Sequence, residues 1–281
     1  MAGYLRPRDL TEALAALAEG PRVVVAGATD HYPARVGRLP DEEILDVTAI
    51  AGLRAIEPTD GGWRIGALTT WTDLVETPLP PAFDGLRRAA RAVGGLQIQN
   101  RATLAGNVCN ASPAADGIPN LLALDAAVEL ASVRGVREVP VGAFVTGNRR
   151  TVREPDELVT AILVPAAAGD ARSTFRKLGA RSYLVISIAM VAAVVELETQ
   201  GGAPRVAAAR IAVGACSVVA RRLAALESEL AGRPLDRALA DVVRPEHLAG
   251  LTPIDDIRGT AEYRRDAAGI LIRRALRELA A

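Results

Sequence analysis

Residues 97–125 gather small side chains, amides and hydroxyls ahead of an apolar stretch. Within them Thr103, Leu104, Ala105, Gly106 and Asn107 offer backbone N–H groups that small side chains leave uncovered, and Asn110, Ser112 and Asp116 add polar side chains close by. Such a segment wraps a polar, anionic ligand such as a pyrophosphate, using N–H donors instead of cations. A second small-residue loop, Ala26-Gly27-Ala28-Thr29-Asp30 followed by His31, leaves the apolar run Val23-Val24-Val25, which reads as a buried strand. Two strand-then-loop units can converge on one dinucleotide.

Other residues carry a functional and a plain reading side by side. Lys177 is the only lysine of the chain. It marks either a place too tight for a guanidinium or a solvated strand position. Asp116 precedes Gly117 and can cap the next helix as well as meet a ligand. Thr103 and Asn107 can serve only their own turn. His31 reads as a surface or backbone-bonded histidine, Cys109 as a small buried residue, and Cys216 as a core residue.

The elements that must position these groups follow from patterning. Asp9–Glu19 is an amphipathic helix stopped by Gly20-Pro21. Val23–Ala26, Glu43–Asp46, Trp63–Ala67, Ala127–Ser132, Arg137–Val141 and Val159–Val164 read as strands, and Thr70–Glu76, Asp84–Val93 and Ile118–Leu124 as helices. Ala166–Arg172 is the best boundary. Beyond it Thr174–Leu178, Ser187–Glu198 and Ala207–Val213 read as a three-stranded antiparallel sheet, with helices over Ser217–Ala231 and Glu262–Leu279. The fold class is α+β, in two parts over a length of 281 residues.

Composition narrows the function. Thirty-three basic against 33 acidic residues argue against a nucleic-acid binder, whose footprint is a basic excess. The longest apolar run, Leu184–Val195, is interrupted by Ser187 and falls short of the ~18 residues a membrane span needs. No apolar stretch follows the N-terminus, and two cysteines cannot build a zinc or iron–sulfur site alone. The expected compartment is the cytoplasm, with reduced thiols.

Taken together, the motifs resemble the flavin-binding medium subunit of the molybdenum hydroxylases, the xanthine dehydrogenase and carbon monoxide dehydrogenase family. The first flavin loop of that family usually reads Ala-Gly-Gly-Thr-Asp and here is Ala26–Asp30; the second usually reads Thr-Ile-Gly-Gly-Asn and here is Thr103–Asn107. The second lies in a longer match through Asn110 to Asp116, and Asp255–Arg265 is also typical of these subunits. The resemblance implies a two-lobed FAD-binding domain of the vanillyl-alcohol oxidase type over residues 1–168, split near residue 56, and a smaller α+β domain over 169–281. It implies one noncovalent FAD held by Val25, Ala26, Gly27, Ala28, Thr29, Asp30 and His31, by Thr103, Leu104, Ala105, Gly106 and Asn107, and by Asn110, Asp116 and Lys177. Lys177 would then stand near the flavin N1/O2 edge.

The implied role is an electron-transfer subunit with no acid–base chemistry of its own. Its partners would be a large molybdenum-cofactor subunit and a small subunit with two-iron clusters, and its acceptor NAD, a quinone, oxygen or another oxidant. The alternatives are a stand-alone flavin oxidase and a flavin-free assembly subunit. Ala28 and Ala105 stand where the family usually has Gly, and each carries a steric penalty of order 1 kcal/mol or more if its φ is positive. The chain lacks the cysteines that a four-iron insert needs.

Overall fold

The computed structural model describes residues 3–37 and 41–281. The chain opens with β1 (Tyr4–Leu5), α1 (Leu10–Glu19), β2 (Val23–Val25) and β3 (Ile44–Asp46). The carboxylate of Asp9 accepts the Glu12 amide at 2.9 Å and starts α1. The three strands form a parallel sheet in the order β1-β3-β2. Ala13, Ala16 and Leu17 of α1 close a small core with Leu45 and Val47.

Next come β4 (Ile56–Thr59), β5 (Gly62–Gly66), α2 (Trp71–Glu76), α3 (Asp84–Ala92), α4 (Leu96–Gln99), α5 (Leu104–Asn110) and α6 (Gly117–Ala123). After them stand β6 (Ala127–Ser132), β7 (Gly135–Pro140), α7 (Val141–Phe144), β8 (Val145–Gly147), β9 (Arg150–Thr151) and β10 (Leu158–Pro165). A five-stranded sheet, β4-β5-β10-β6-β7, holds the helices through a core that includes Trp71, Leu104, Val108, Leu121 and Ile162. Helix α2 begins with a reciprocal cap between Thr70 and Asp73.

The remainder is β11 (Asp170–Leu178), β12 (Ala189–Gln200), β13 (Ala203–Gly214), β14 (Arg221–Arg222), α8 (Ala224–Leu230) and α9 (Ala261–Leu279). Its sheet has four strands, β11-β12-β13-β14, where three were expected. The fourth arises because the run Ser217–Ala231 is helical only from Ala224. Arg221 and Arg222 pair with Val213 and Ala212, and Arg222 is tied to both Asp125 and Glu227. Those ties hold the backbone extended where periodicity alone suggested helix.

Strand β12 explains the long apolar run. Met190, Ala192 and Val194 face the core of the preceding helices, whereas Ala189, Val191, Ala193 and Val195 face a second core with Leu271, Ile272 and Leu276 of α9. A strand covered on both faces loses its polar alternation. No helix among the described residues is long and apolar enough to cross a membrane.

Candidate functional site

A cleft of about 720 Å³ opens where the first loop meets α5. Val25 through His31 line one wall, and Thr103, Ala105, Gly106, Asn107 and Asn110 line the other, with Trp71 and Val93 at its apolar side. The amides of Gly27, Ala28, Thr29 and Asp30 find no acceptor among the described residues. Gly27 is where the two walls touch: a Cβ there would lie 1.9 Å from the Arg101 carbonyl oxygen and 2.9 Å from Cα of Ala102. No residue with a side chain fits that approach.

The two alanines at usual glycine positions behave differently. Ala28 has φ +54°, the left-handed region, so its methyl group carries the expected penalty. Ala105 lies within α5, buried and free of positive φ, so its methyl group is tolerated. The reason is that the second motif is not a loop. Thr103 caps a helix, its hydroxyl accepting the Gly106 amide at 2.9 Å. The side chain of Leu104 is fully buried in the core, and its amide donates to Thr69 at 3.1 Å, so it does not line the cleft.

Asn107 reaches away from its own turn. Its side-chain oxygen accepts the Gly117 amide at 3.1 Å, which joins α5 to the segment carrying Asp116. Asp116 and Lys177 do not line the cleft; they meet each other, Nζ to Oδ2 at 2.6 Å, with side chains 8% and 12% exposed. The Ser187 hydroxyl donates to the other oxygen of Asp116 at 2.6 Å. Lys177 also donates at 3.4 Å to the carbonyl of Ala92, the neighbour of cleft-lining Val93. Burial pushes the Asp116 carboxyl up, and the Lys177 ammonium and Ser187 hydroxyl pull it back. The only lysine is therefore a buried, compensated charge.

His31 lines the cleft with Nε2 buried and without a hydrogen-bond partner, while its carbonyl accepts from Arg35 at 3.0 Å. Cys109 lines the cleft and is exposed, not buried as expected, because it sits on the cleft-facing side of α5; the protein mass around the cleft pushes its thiol up to about 11. It is a neutral thiol at pH 7.

Sequence reasoning missed the cations. Arg22, Arg35, Arg149 and Arg153 also line the cleft, against one carboxylate, Asp30. Arg22 and Arg35 are paired with Glu43 and Glu42. Arg153 donates to the carbonyls of Glu154 and Glu157 and has no carboxylate partner among the described residues. Arg22 and Arg35 flank the first loop, whereas Arg149 and Arg153 stand far in sequence from both motifs, and the one local signal for them was the Gly147-Asn148 turn before Arg149. A second depression, about 430 Å³, lies by Arg134 and Arg137, whose charges are taken up by Asp156 and Glu157. The larger cleft is the site that has donors to spare. Free amides and the Arg153 guanidinium are the donor set of a long ligand with an anionic middle.

Comparison with known proteins agrees with this chemistry. Residues 1–167 match the family described as FAD binding domain in molybdopterin dehydrogenase, and residues 173–279 match the CO dehydrogenase flavoprotein C-terminal domain. A putative xanthine dehydrogenase FAD-binding subunit of Escherichia coli is 30% identical over all of this chain and 96% of its own length. The carbon monoxide dehydrogenase medium chain of Hydrogenophaga pseudoflava is 28% identical over 97% of this chain and 95% of its own. Among solved structures, reconstituted CO dehydrogenase from Oligotropha carboxidovorans superposes with a TM-score of 0.89 at 28% identity, covering 100% of this chain and 98% of that one.

Proposed function

The chain belongs to the FAD-binding medium subunits of the molybdenum hydroxylases, and on that premise we infer that it carries electrons between two partners it does not itself contain. It is the FAD-binding subunit of an oxidoreductase complex. In our reading a large molybdenum-cofactor subunit oxidises the substrate. A small subunit with two-iron clusters passes the electrons here, and the acceptor is NAD or another oxidant. The complex works in the cytoplasm. Residues 1–168 form the FAD-binding part, with the vanillyl-alcohol oxidase type of fold, and 169–281 the second part.

The observation that carries the reading is the cleft between the first loop and α5, with unpaired amides on one wall and a capped helix on the other. Gly27 through Asp30 hold the pyrophosphate through their amides. Thr103, Ala105, Gly106 and Asn110 face it from α5, and Leu104, buried and bonded to Thr69, takes no part. Val25 and Ala26 fix the wall, and His31 closes it, its Nε2 turned toward Glu42 at 3.8 Å. Asn107 orients the Asp116 segment. Asp116 and Lys177 border the isoalloxazine behind Ala92 and Val93, where Lys177 steadies negative charge on the ring.

When bound, FAD supplies the exchange between two-electron and one-electron chemistry. The protein supplies binding, orientation, electrostatics and control of access. Trp71 and Val93 keep water from the apolar side, and no side chain of the site is called on to move a proton.

The purified chain, given FAD, should show a flavin absorption spectrum, and acid denaturation should release all the flavin as free FAD. A colourless preparation in excess FAD would remove the reading; flavin that stays on the precipitated chain would replace it with a covalent link at His31. Pull-down from the native source should recover the two partner subunits. Turnover of an organic substrate by the isolated chain would favour an oxidase instead.

A further inference from the structure

Arg149 occupies a position built for glycine. It is the second loop residue between β8 and β9, with φ +54°, where Gly or Asn is the usual choice. A bulky residue kept in that conformation is held there by its surroundings. Its amide donates at 2.9 Å to the carbonyl of Ala111, which ends α5 and is also left-handed, at φ +48°. From that anchored tip the guanidinium reaches Asn110 of α5 and, at 2.8 Å, Asp30 of the first loop. The contact crosses the cleft mouth. Asp30 follows the parallel sheet, whereas Asn110 lies in α5 and Arg149 at the tip of the two-stranded β8-β9 ribbon, both carried by the core that holds Val108, Ala111 and Val145.

The pairing answers an electrostatic problem that the site sets itself. Asp30 is the one carboxylate lining a cleft whose free amides fit an anion. An unopposed carboxylate beside a pyrophosphate repels it. Arg149 cancels that charge and at the same time ties one wall to the other. Both side chains are about half exposed, 57% and 55%, so the fold does not depend on them.

We propose that Arg149 and Asp30 form a strap across the cleft mouth that sets how long the dinucleotide stays bound, with Arg149 acting as a positioning residue through Asp30 and not as a separate phosphate ligand. The proposal rests on the FAD reading above. With both lobes tied, release of the cofactor requires the pair to open first.

The test is the rate of FAD release from the full chain, followed by the recovery of free-flavin fluorescence after dilution. Arg149→Gln and Asp30→Asn should each speed release on the order of tenfold, and the double variant should be no faster than either single one. Thermal unfolding of the cofactor-free proteins should stay unchanged, since a merely structural role would move it. Raising the salt should speed release in the wild type and leave both variants flat. If Asp30→Asn slows release while Arg149→Gln speeds it, Arg149 is a plain phosphate ligand and the strap is wrong. Rates that multiply in the double variant, or that do not change at all, overturn it too. Wild type that binds no FAD would instead defeat the flavin reading, a separate outcome visible before any variant is made.

Discussion

The Asp116–Lys177 pair makes an asymmetric redox experiment. Its charges lie 2.6 Å apart and are almost wholly buried, so at a distance they act as a dipole. At an effective dielectric constant of about 20, a lone charge would contribute about 2 kcal/mol were the flavin ring held roughly 8 Å away. On a two-electron couple that is about 45 mV. A pair whose separation is near a third of that distance contributes roughly a third as much, about 15 mV. Lys177→Met removes the ammonium that pulls the Asp116 carboxyl back down, and burial then drives it to take up a proton. Net local charge stays at zero, and the midpoint should fall by no more than about 15 mV.

Asp116→Asn leaves the ammonium unopposed. It favours the reduced, anionic ring, and the midpoint should rise by about 30 mV. Potentiometric titration of the FAD-loaded proteins at pH 7 decides the matter. A fall in Lys177→Met larger than the rise in Asp116→Asn would show that the carboxylate stays ionised without its partner, and the argument would fail. The same proton gives a second readout. In Lys177→Met the Asp116 pKa lies above its unfolded value, so its stabilisation is full below the ordinary carboxylate range. It is lost as pH rises through the folded value. The variant should lose stability from acid to neutral pH faster than wild type does.

Three further outcomes follow from the geometry. Gly27→Ala puts a methyl carbon 1.9 Å from the Arg101 carbonyl; it should cost about 1–3 kcal/mol in denaturant melts and empty the protein of FAD, and normal flavin content would refute the close approach. Ala28→Gly relieves a φ of +54°. The relief of about 1–2 kcal/mol exceeds the roughly 0.5–1 kcal/mol of extra backbone entropy glycine loses, so urea melts should show a small gain, and a clear loss would sink the strain argument. Arg244, then His247, hold the Glu229 carboxyl down to about 2 from 4.5. A depressed carboxylate stabilises above its unfolded pKa, and the contribution is lost as pH falls toward the folded one. Below pH 4.5 wild type should therefore lose stability more steeply than Glu229→Gln; parallel acid curves would show that the pair is not formed.

Much of the fold was legible because the signals were local. Helix α1 shows its cap, its apolar stripe and its glycine stop within one stretch, and α9 shows a threonine cap and an apolar stripe over a longer one. The family, the FAD-binding assignment and the α+β class were readable from the motifs. What the sequence hid was set by partners far away. The second motif looked like a loop because small residues dominate it, yet Thr103 caps a helix and Leu104 is pinned in the core. Strand β14 depends on Asp125, nearly a hundred residues earlier in the chain. The guanidinium groups of Arg149 and Arg153 carry no pattern that marks them among the 33 basic residues of the chain, and only folding brings Arg149 to Asp30.

The two family matches divide the sequence between residues 167 and 173, but the packing does not divide there. Met190, Ala192 and Val194 of β12, with Ala212 of β13, complete the core that holds Trp71 and Leu104. A fragment ending at 167 would leave the apolar side of α3 and α6 bare, and a fragment starting at 173 would bare the inner face of its own sheet. Neither half is a portable module. A chain cut between 167 and 173 would expose both faces of that shared core, and the product is material for aggregation and proteolysis before it is a flavoprotein.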